Sequence, residues 1–242
     1  MKNLGSVPVL RRWVQSAGRR YFAARGIRFV VKKRLGATFL LDVHSQVDRH
    51  LLYFNDWESE QRTFLHEAFA DNPPDLVFDI GSYFGVYAIT LARLWPASAV
   101  IAFEPQPDNF RQLSANILLN ATDNCTAHNV ALGSQTGTAT MSGSARNRGE
   151  SRLGAAGTEV EVKVRALDDL YDVTGQRLCL KIDVEGHERQ AIAGMRTLLQ
   201  NNAVTAQIEI FDENRTAVIG DLEKLGLRQI HRIEHDLYFT NT

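Results

Sequence analysis

An apolar run that ends in an acid and then turns on two glycines, Leu76-Val77-Phe78-Asp79-Ile80-Gly81-Ser82-Tyr83-Phe84-Gly85, limits what this chain can become. Its first five residues are rich in β-formers and follow Pro73-Pro74, so they read as a buried parallel strand, which needs a continuous apolar run and not an alternating one. Phe84, Val86, Tyr87, Ile89, Thr90, Leu91, Leu94 and Trp95 then recur at helical spacing until Pro96 stops the helix. Gly81 and Gly85 therefore fall on a strand-to-helix turn. Such a turn lets a ligand approach bare backbone and aims helix N–H groups at it, while Asp79 adds an acceptor at the strand tip. The expectation is a nucleotide-type cofactor site.

The strand-then-helix pattern recurs down the chain. Ala99-Val100-Ile101-Ala102-Phe103 is a second apolar strand ending in Glu104-Pro105, and Phe110, Leu113, Ile117 and Leu118 mark the helix behind it. At the tip of the second strand of a doubly wound sheet, the Glu104 carboxylate can accept both hydroxyls of a ribose. A third strand over 125–130 brings Asn129 and Val130 to flank an adenine. Cys179-Leu180-Lys181-Ile182-Asp183 is the fourth, followed by one helix from Glu188 through Ile192, Met195, Leu198 and Leu199. The fifth, Val204-Thr205-Ala206-Gln207-Ile208-Glu209-Ile210, carries an acid that is costly there unless it is paired or faces the site. After a helix over 217–225, strands over 228–233 and 236–240 are joined too closely for anything but antiparallel pairing.

Between Gly133 and Ala166, two alternating segments flank a glycine-rich middle and predict a β-hairpin whose long tip overhangs the site. Arg146, Arg148 and Arg152 on that tip either bind an acidic acceptor or belong to a solvated loop. Upstream, residues 57–70 read as a helix with Phe64, Leu65, Ala68 and Phe69 inward, and 27–43 as two strands forming a flap beside the main sheet. The head is strongly basic. Ten of the 27 lysines and arginines precede the first acid, Asp42, which leaves 17 bases against 28 acids in the remainder. Leu10, Trp13, Val14, Ala17 and Tyr21 line one side of a possible helix there, and such a segment either docks on the acidic body or frays as a terminus, lies on an anionic membrane surface, or, Arg-rich and acid-poor, serves as a mitochondrial transit peptide. The economical division is a basic helix and β flap over 1–47 and an α/β domain over 48–242. Cys125 and Cys179 both sit in apolar stretches, so a reducing, cytoplasmic setting is expected, and no apolar run approaches the ~20 residues that span a bilayer.

The spacing after the first strand is Asp-x-Gly-x-x-x-Gly, so the Gly-x-Gly-x-x-Gly pyrophosphate fingerprint fails. It matches instead the S-adenosylmethionine site of Rossmann-like methyltransferases. From about Asp48 onward the chain resembles the FkbM family of methyltransferases, on Val77-Phe78-Asp79-Ile80-Gly81, Gly85-Val86-Tyr87, Phe103-Glu104-Pro105 with Asn109, Asn116 and Asn120, then Asn129-Val130-Ala131, Leu167-Asp168-Asp169-Leu170 and Leu180-Lys181-Ile182-Asp183-Val184-Glu185-Gly186-His187-Glu188. The resemblance implies a Rossmann-like seven-stranded, mostly parallel sheet closed by the C-terminal antiparallel hairpin, and methyl transfer to oxygen, commonly a sugar or natural-product hydroxyl. The expected cofactor contacts are Asp79, Gly81, Ser82, Tyr83, Gly85, Glu104, Pro105, Asn129, Val130 and Asp183. One departure stands out: the family has Asp-Ile-Gly-Ala-Asn-x-Gly, and here Ser82 and Tyr83 replace Ala and Asn.

An alcohol is a poor nucleophile, so a base must take its proton during transfer. Lys181, Asp183, Glu185 and His187 cluster at the fourth strand tip; His187 suits neutral pH best and Asp183 is better placed by fold analogy. Asp183 with Glu209 can alternatively hold a divalent cation, although no metal is assigned, and no His/Cys cluster has zinc spacing. The expected partner is a small-molecule or glycan acceptor and not nucleic acid, since the body is acidic. A cofactor-binding regulatory protein without transfer activity is the competing class.

Overall fold

The computed structural model describes the backbone of residues 8–144, 147–153 and 158–242, and the side chains of 13–141 and 159–242. Helix α1 (Pro8–Ala24) leads into an antiparallel hairpin of β1 (Phe29–Arg34) and β2 (Ala37–Asp42), then helices α2 (Gln46–Phe54) and α3 (Ser59–Ala68). The helix expected over 57–70 is thus shorter, and Ala68 faces solvent because the inward stripe is Gln61, Leu65 and Phe69. In α1 the side turned to the body is Val14, Gly18 and Phe22. Trp13, Ala17 and Tyr21 face outward, splitting the stripe expected from the sequence. Gly18 makes that packing possible, since a Cβ there would lie 1.7 Å from the Tyr53 hydroxyl on α2.

The α/β body runs β3 (Leu76–Ile80), α4 (Val86–Leu94), β4 (Ala99–Phe103), α5 (Pro107–Asn120), β5 (Cys125–His128), then β6 (Ala131–Leu132), β7 (Gly137–Ser144), β8 (Asn147–Leu153) and β9 (Thr158–Arg165). It continues with α6 (Leu167–Leu170), β10 (Arg177–Ile182), α7 (Glu188–Ala193), α8 (Arg196–Asn201), β11 (Ala203–Glu209), α9 (Arg215–Lys224), β12 (Arg228–Ile233) and β13 (Asp236–Thr240). The main sheet has seven strands in the order β12-β13-β11-β10-β3-β4-β5. Strands β11, β10, β3, β4 and β5 are parallel and β13 is antiparallel to both its neighbours, so the Rossmann-like sheet with its closing hairpin forms as expected. Alternation carries Phe78, Ile80, Leu180 and Ile182 to one face under Ile192, Leu198, Val218 and Leu222, and Val77, Cys179 and Ala102 to the other under Tyr87, Leu91 and Trp95. Both faces are covered, which is why these strands read as unbroken apolar runs.

The β1–β2 hairpin joins the body through asparagines. Asn116 Oδ1 accepts from Leu40 N at 2.6 Å, Asn120 Oδ1 accepts from Thr38 N at 2.8 Å, and Asn120 Nδ2 donates to Thr38 O at 2.7 Å. Two amides one helical turn apart thereby stand in for a neighbouring strand along β2. Arg34 donates to the carbonyls of Leu51 and Leu52 at 3.1 and 2.9 Å, fixing the cation where the end of α2 is negative.

Two further expectations are corrected. The single helix from Glu188 to Leu199 is broken between α7 and α8 at Gly194, where a Cβ would lie 2.0 Å from the Gly133 carbonyl oxygen. The Asp168 carboxylate then caps α8, accepting from the N–H groups of Thr197 and Leu198 at 2.9 and 3.0 Å. The segment after Gly133 does form the expected hairpin, β7 with β9, but β6 and β8 extend it to a four-stranded sheet. Arg146 and the side chains of Arg148 and Arg152 lie outside the described residues. Both cysteines are buried and free, and among the described residues no helix is long and apolar enough to cross a membrane.

Candidate active site

From β3 the sheet grows to β4 on one side and to β10 on the other, so the crevice at their carboxyl ends is the topological switch point. A cavity of about 410 Å³ opens there, in the range of small-molecule sites. The turn after β3 docks on β4, with Gly81 N and Ser82 N both donating to Phe103 O at 2.9 and 3.0 Å. Gly81, at φ +84°, is pressed against the next strand: a Cβ there would meet Asp183 O at 1.7 Å. Asp79 is buried and its Oδ2 accepts from Ala88 N at 3.0 Å, tying the strand to the first turn of α4. Burial pushes its pKa to about 6.

Tyr83 sits at φ +52°, in the left-handed region. Asn adopts that conformation readily and Tyr does not, which gives a backbone reason for the Asn that the family resemblance leads one to expect here. The N–H of Tyr83 donates to Glu104 Oε2 at 2.9 Å, its hydroxyl donates to Ser45 Oγ at 2.8 Å, and its ring meets Phe84 edge-on at 5.0 Å. These contacts hold the strained residue in place. Glu104 Oε1 accepts from Gln106 N at 2.8 Å, leaving room on Oε2 for a further donor. Burial raises the Glu104 pKa to about 8. Pro105 and Val130 line the cavity. Asn129 does not line it and stands behind the wall, donating to the carbonyls of Glu104 and Pro105 at 2.8 and 2.9 Å.

At the tip of β10, Lys181 stands opposite Asp79 in the register and donates to Asp183 Oδ2 at 2.8 Å. Burial alone would depress the lysine, but Asp183, Glu58, Asp79 and Glu209 together hold it protonated. Burial would raise Asp183; the Lys181 charge and a hydrogen bond from Glu209 keep it ionised. Glu209, buried and beside that carboxylate, is pushed up and carries a proton. Asp183 and Glu209 thus meet as the sequence suggests, sharing a proton beside an ammonium group. Among the described residues no group of three or more His, Cys, Asp or Glu is arranged to hold a metal ion. Glu185, at φ +52°, and His187 complete this wall. Partial burial pushes the His187 pKa down, so its imidazole is neutral at pH 7.

The opposite wall comes from residues to which the sequence assigned no site role. Ser45, His50, Trp57 and Glu58, from the start and middle of α2 and the turn before α3, line the same cavity. Glu58 adopts φ +45° and accepts from the Tyr87 hydroxyl at 2.7 Å, and burial raises its pKa to about 7. Gln207 Nε2 donates to Tyr87 Oη at 3.1 Å and to Asp236 Oδ1 at 2.8 Å, so a polar chain runs from the cavity into the sheet. The signal available for α2 was Ser45-x-x-Asp48: Ser45 caps the helix by accepting from Asp48 N. Three non-glycine residues with positive φ, Glu58, Tyr83 and Glu185, therefore line one cavity, a concentration of backbone strain that marks functional sites.

The FkbM methyltransferase domain matches residues 79–225. Methyltransferase 1 of Beauveria bassiana is 26% identical over 181 residues, spanning 61% of this chain and 73% of that protein. The hexuronic acid methyltransferase AglP of Haloferax volcanii is 30% identical over 158 residues, spanning 61% of this chain and 60% of that protein. Among solved structures, M. jannaschii TYW2 in complex with AdoMet superposes with a TM-score of 0.45 at 14% identity, covering 88% of this chain and 84% of that one.

Proposed function

This chain belongs to the FkbM methyltransferase family, and from that premise we propose that it transfers a methyl group from S-adenosylmethionine to a hydroxyl oxygen of a saccharide or glycoconjugate. One observation carries the reading: a single cavity joins the glycine turn, the Glu104 carboxylate and the Lys181–Asp183–Glu209 group at the switch point of the sheet. The residues fit the cofactor. Gly81 lets the turn pack on the Asp183 backbone at the cavity wall, Glu104 keeps acceptor capacity for ribose hydroxyls, and Asp183 and Glu58 supply negative charge for a sulfonium. When bound, S-adenosylmethionine supplies an electrophilic methyl group; no metal is needed for that chemistry.

The chain's own residues then position the acceptor and take its proton. Most of the rate comes from holding the acceptor oxygen in line, since orientation is worth ~7–11 kcal/mol. Trp57 and His50, in edge contact at 5.6 Å, give the acceptor end an aromatic wall on which a sugar ring can rest. His187 is the base: its imidazole is neutral, and among the described residues it makes no hydrogen bond that would hold its ring nitrogens. Asp183 is less basic, being held ionised by Lys181, and orients the acceptor hydroxyl.

The hexuronic acid methyltransferase relative supports a sugar acceptor, and hexuronate glycosides come first in the test. Purified protein is incubated with methyl-labelled S-adenosylmethionine and a panel of neutral sugars, hexuronates, polyhydroxylated natural products and RNA. Alkali-stable label on a saccharide is the expected result. Label released by mild base would mark a carboxyl ester and move the acceptor from hydroxyl to carboxylate. Label on RNA alone would overturn the reading.

A further inference from the structure

The first 41 residues hold ten bases and no acid, and of the seven whose side chains are described two have carboxylate or carbonyl partners beyond their own strand: Arg28 with Asp42 at 3.1 Å, and Arg34 at the end of α2. Arg19, Arg20, Arg25, Lys32 and Lys33 are exposed and have no ion pair among the described residues.

The apolar side chains there behave in the same way. Of the nine large hydrophobic residues exposed among the described residues, five fall between positions 13 and 31: Trp13 at 70%, Tyr21 at 54%, Ile27 at 36%, Phe29 at 40% and Val31 at 51%. Trp13 and Tyr21 lie two helical turns apart on the outward side of α1, and Phe29 and Val31 share the outward side of β1. The other sides of both elements pack on α2. The Arg25 guanidinium rests 4.1 Å from the centre of the Tyr21 ring and that of Arg28 4.9 Å from the centre of Phe29, so charge and apolar surface are interleaved. Five exposed large hydrophobic residues within nineteen positions, interleaved with bases, are the composition of an interaction surface.

We propose that α1 and the outer face of β1 form a docking surface for an anionic lipid bilayer. Exposed bases with no ion pair among the described residues fit negatively charged headgroups, each contributing about fivefold to partitioning. Trp and Tyr suit the boundary between headgroups and acyl chains, and Ile27 and Val31 supply aliphatic surface that a nucleic acid has no means of using. The methyltransferase cavity lies outside this surface, so binding to lipid and binding of cofactor are separable.

The test is co-sedimentation of the full chain with vesicles of phosphatidylcholine alone or with 30% phosphatidylglycerol added. Partitioning should be at least about tenfold stronger on the anionic vesicles and fall at least about tenfold in high salt. Replacing Trp13, Tyr21, Phe29 and Val31 together by Ser should reduce it by a similar factor while calorimetry still registers S-adenosylmethionine. The pair Trp13→Ser and Tyr21→Ser, on the exposed side of α1, should lower it by a smaller amount and guards against misfolding of the hairpin. Equal sedimentation of wild type and the quadruple variant, or equal binding to both vesicle types, would overturn the proposal. So would tight binding to single-stranded RNA with none to either vesicle.

Discussion

Buried Lys181 and half-buried Asp183 form a pair whose two halves should differ sharply on removal. Lys181→Met deletes the cation that, among the described residues, faces four carboxyl groups, Asp183, Glu58, Asp79 and Glu209. Breaking a buried pair in this way costs about 3–5 kcal/mol. At roughly 2–4 °C per kcal/mol for a chain of this size, Tm should drop by about 6–20 °C. Asp183→Asn is different because a substitute is at hand. The Asp183 charge is among the causes that keep Glu209 protonated, so its loss lets Glu209 ionise and face the lysine. Only the hydrogen bond at 2.8 Å is weakened, at a cost of about 1–2 kcal/mol. Urea unfolding of both variants at pH 7 measures the contrast. If Asp183→Asn destabilises as strongly as Lys181→Met, Glu209 is not a proton-carrying reserve and this picture of the site fails. Methyl transfer by Asp183→Asn should still fall, because the acceptor is no longer oriented.

Other consequences concern the turn, the hairpin and pH. Gly81→Ala forces a methyl group into the Asp183 carbonyl at a positive φ, and should cost about 3 kcal/mol or more by thermal denaturation and lower cofactor affinity; unchanged values would mean the turn is not packed as described. Asn116→Ala strips partners from Leu40 N and Phe84 O, and at ~1–3 kcal/mol per orphaned group should cost about 2–6 kcal/mol, with faster hydrogen exchange confined at first to β1 and β2. Glu104 has its folded pKa raised from 4.5 to about 8, so the stability it allows is complete below pH 4.5 and is lost as pH rises through 8. Without cofactor, Glu104→Gln should therefore match wild type at pH 5 and exceed it at pH 9 by on the order of 4 kcal/mol. His187→Ala should lower kcat by about 10²–10⁴ with cofactor binding intact, and a full rate would assign the proton to another group.

The parts of this molecule that follow from local pattern could be read from the chain. Apolar runs ending in acids placed β3, β4, β10 and β11 in order, and with them Asp79, Glu104, Asp183 and Glu209, because a parallel strand covered on both faces has a simple signature. What escaped depends on distant partners. Gly194 breaks a helix because Gly133 lies across from it, and Glu58 reaches the cavity because α2 and α3 fold over the sheet. Asn129 reads as a wall residue from its place after the third strand, yet its amide is spent on the backbone of residues 104 and 105. The exchange of Asn for Tyr83 was visible in the sequence, but its meaning required the positive φ.

The central claim is that the crevice between β3, β4 and β10 holds S-adenosylmethionine with Glu104 as its anchor. Isothermal calorimetry of S-adenosylmethionine on wild type and on Glu104→Gln tests it directly. At pH 9, where Glu104 is ionised, one site per chain is predicted, weakened at least about tenfold in the variant through loss of a charge-assisted hydrogen bond worth ~1.5–3 kcal/mol. Absence of binding to wild type, or equal affinity in the two proteins, would contradict it.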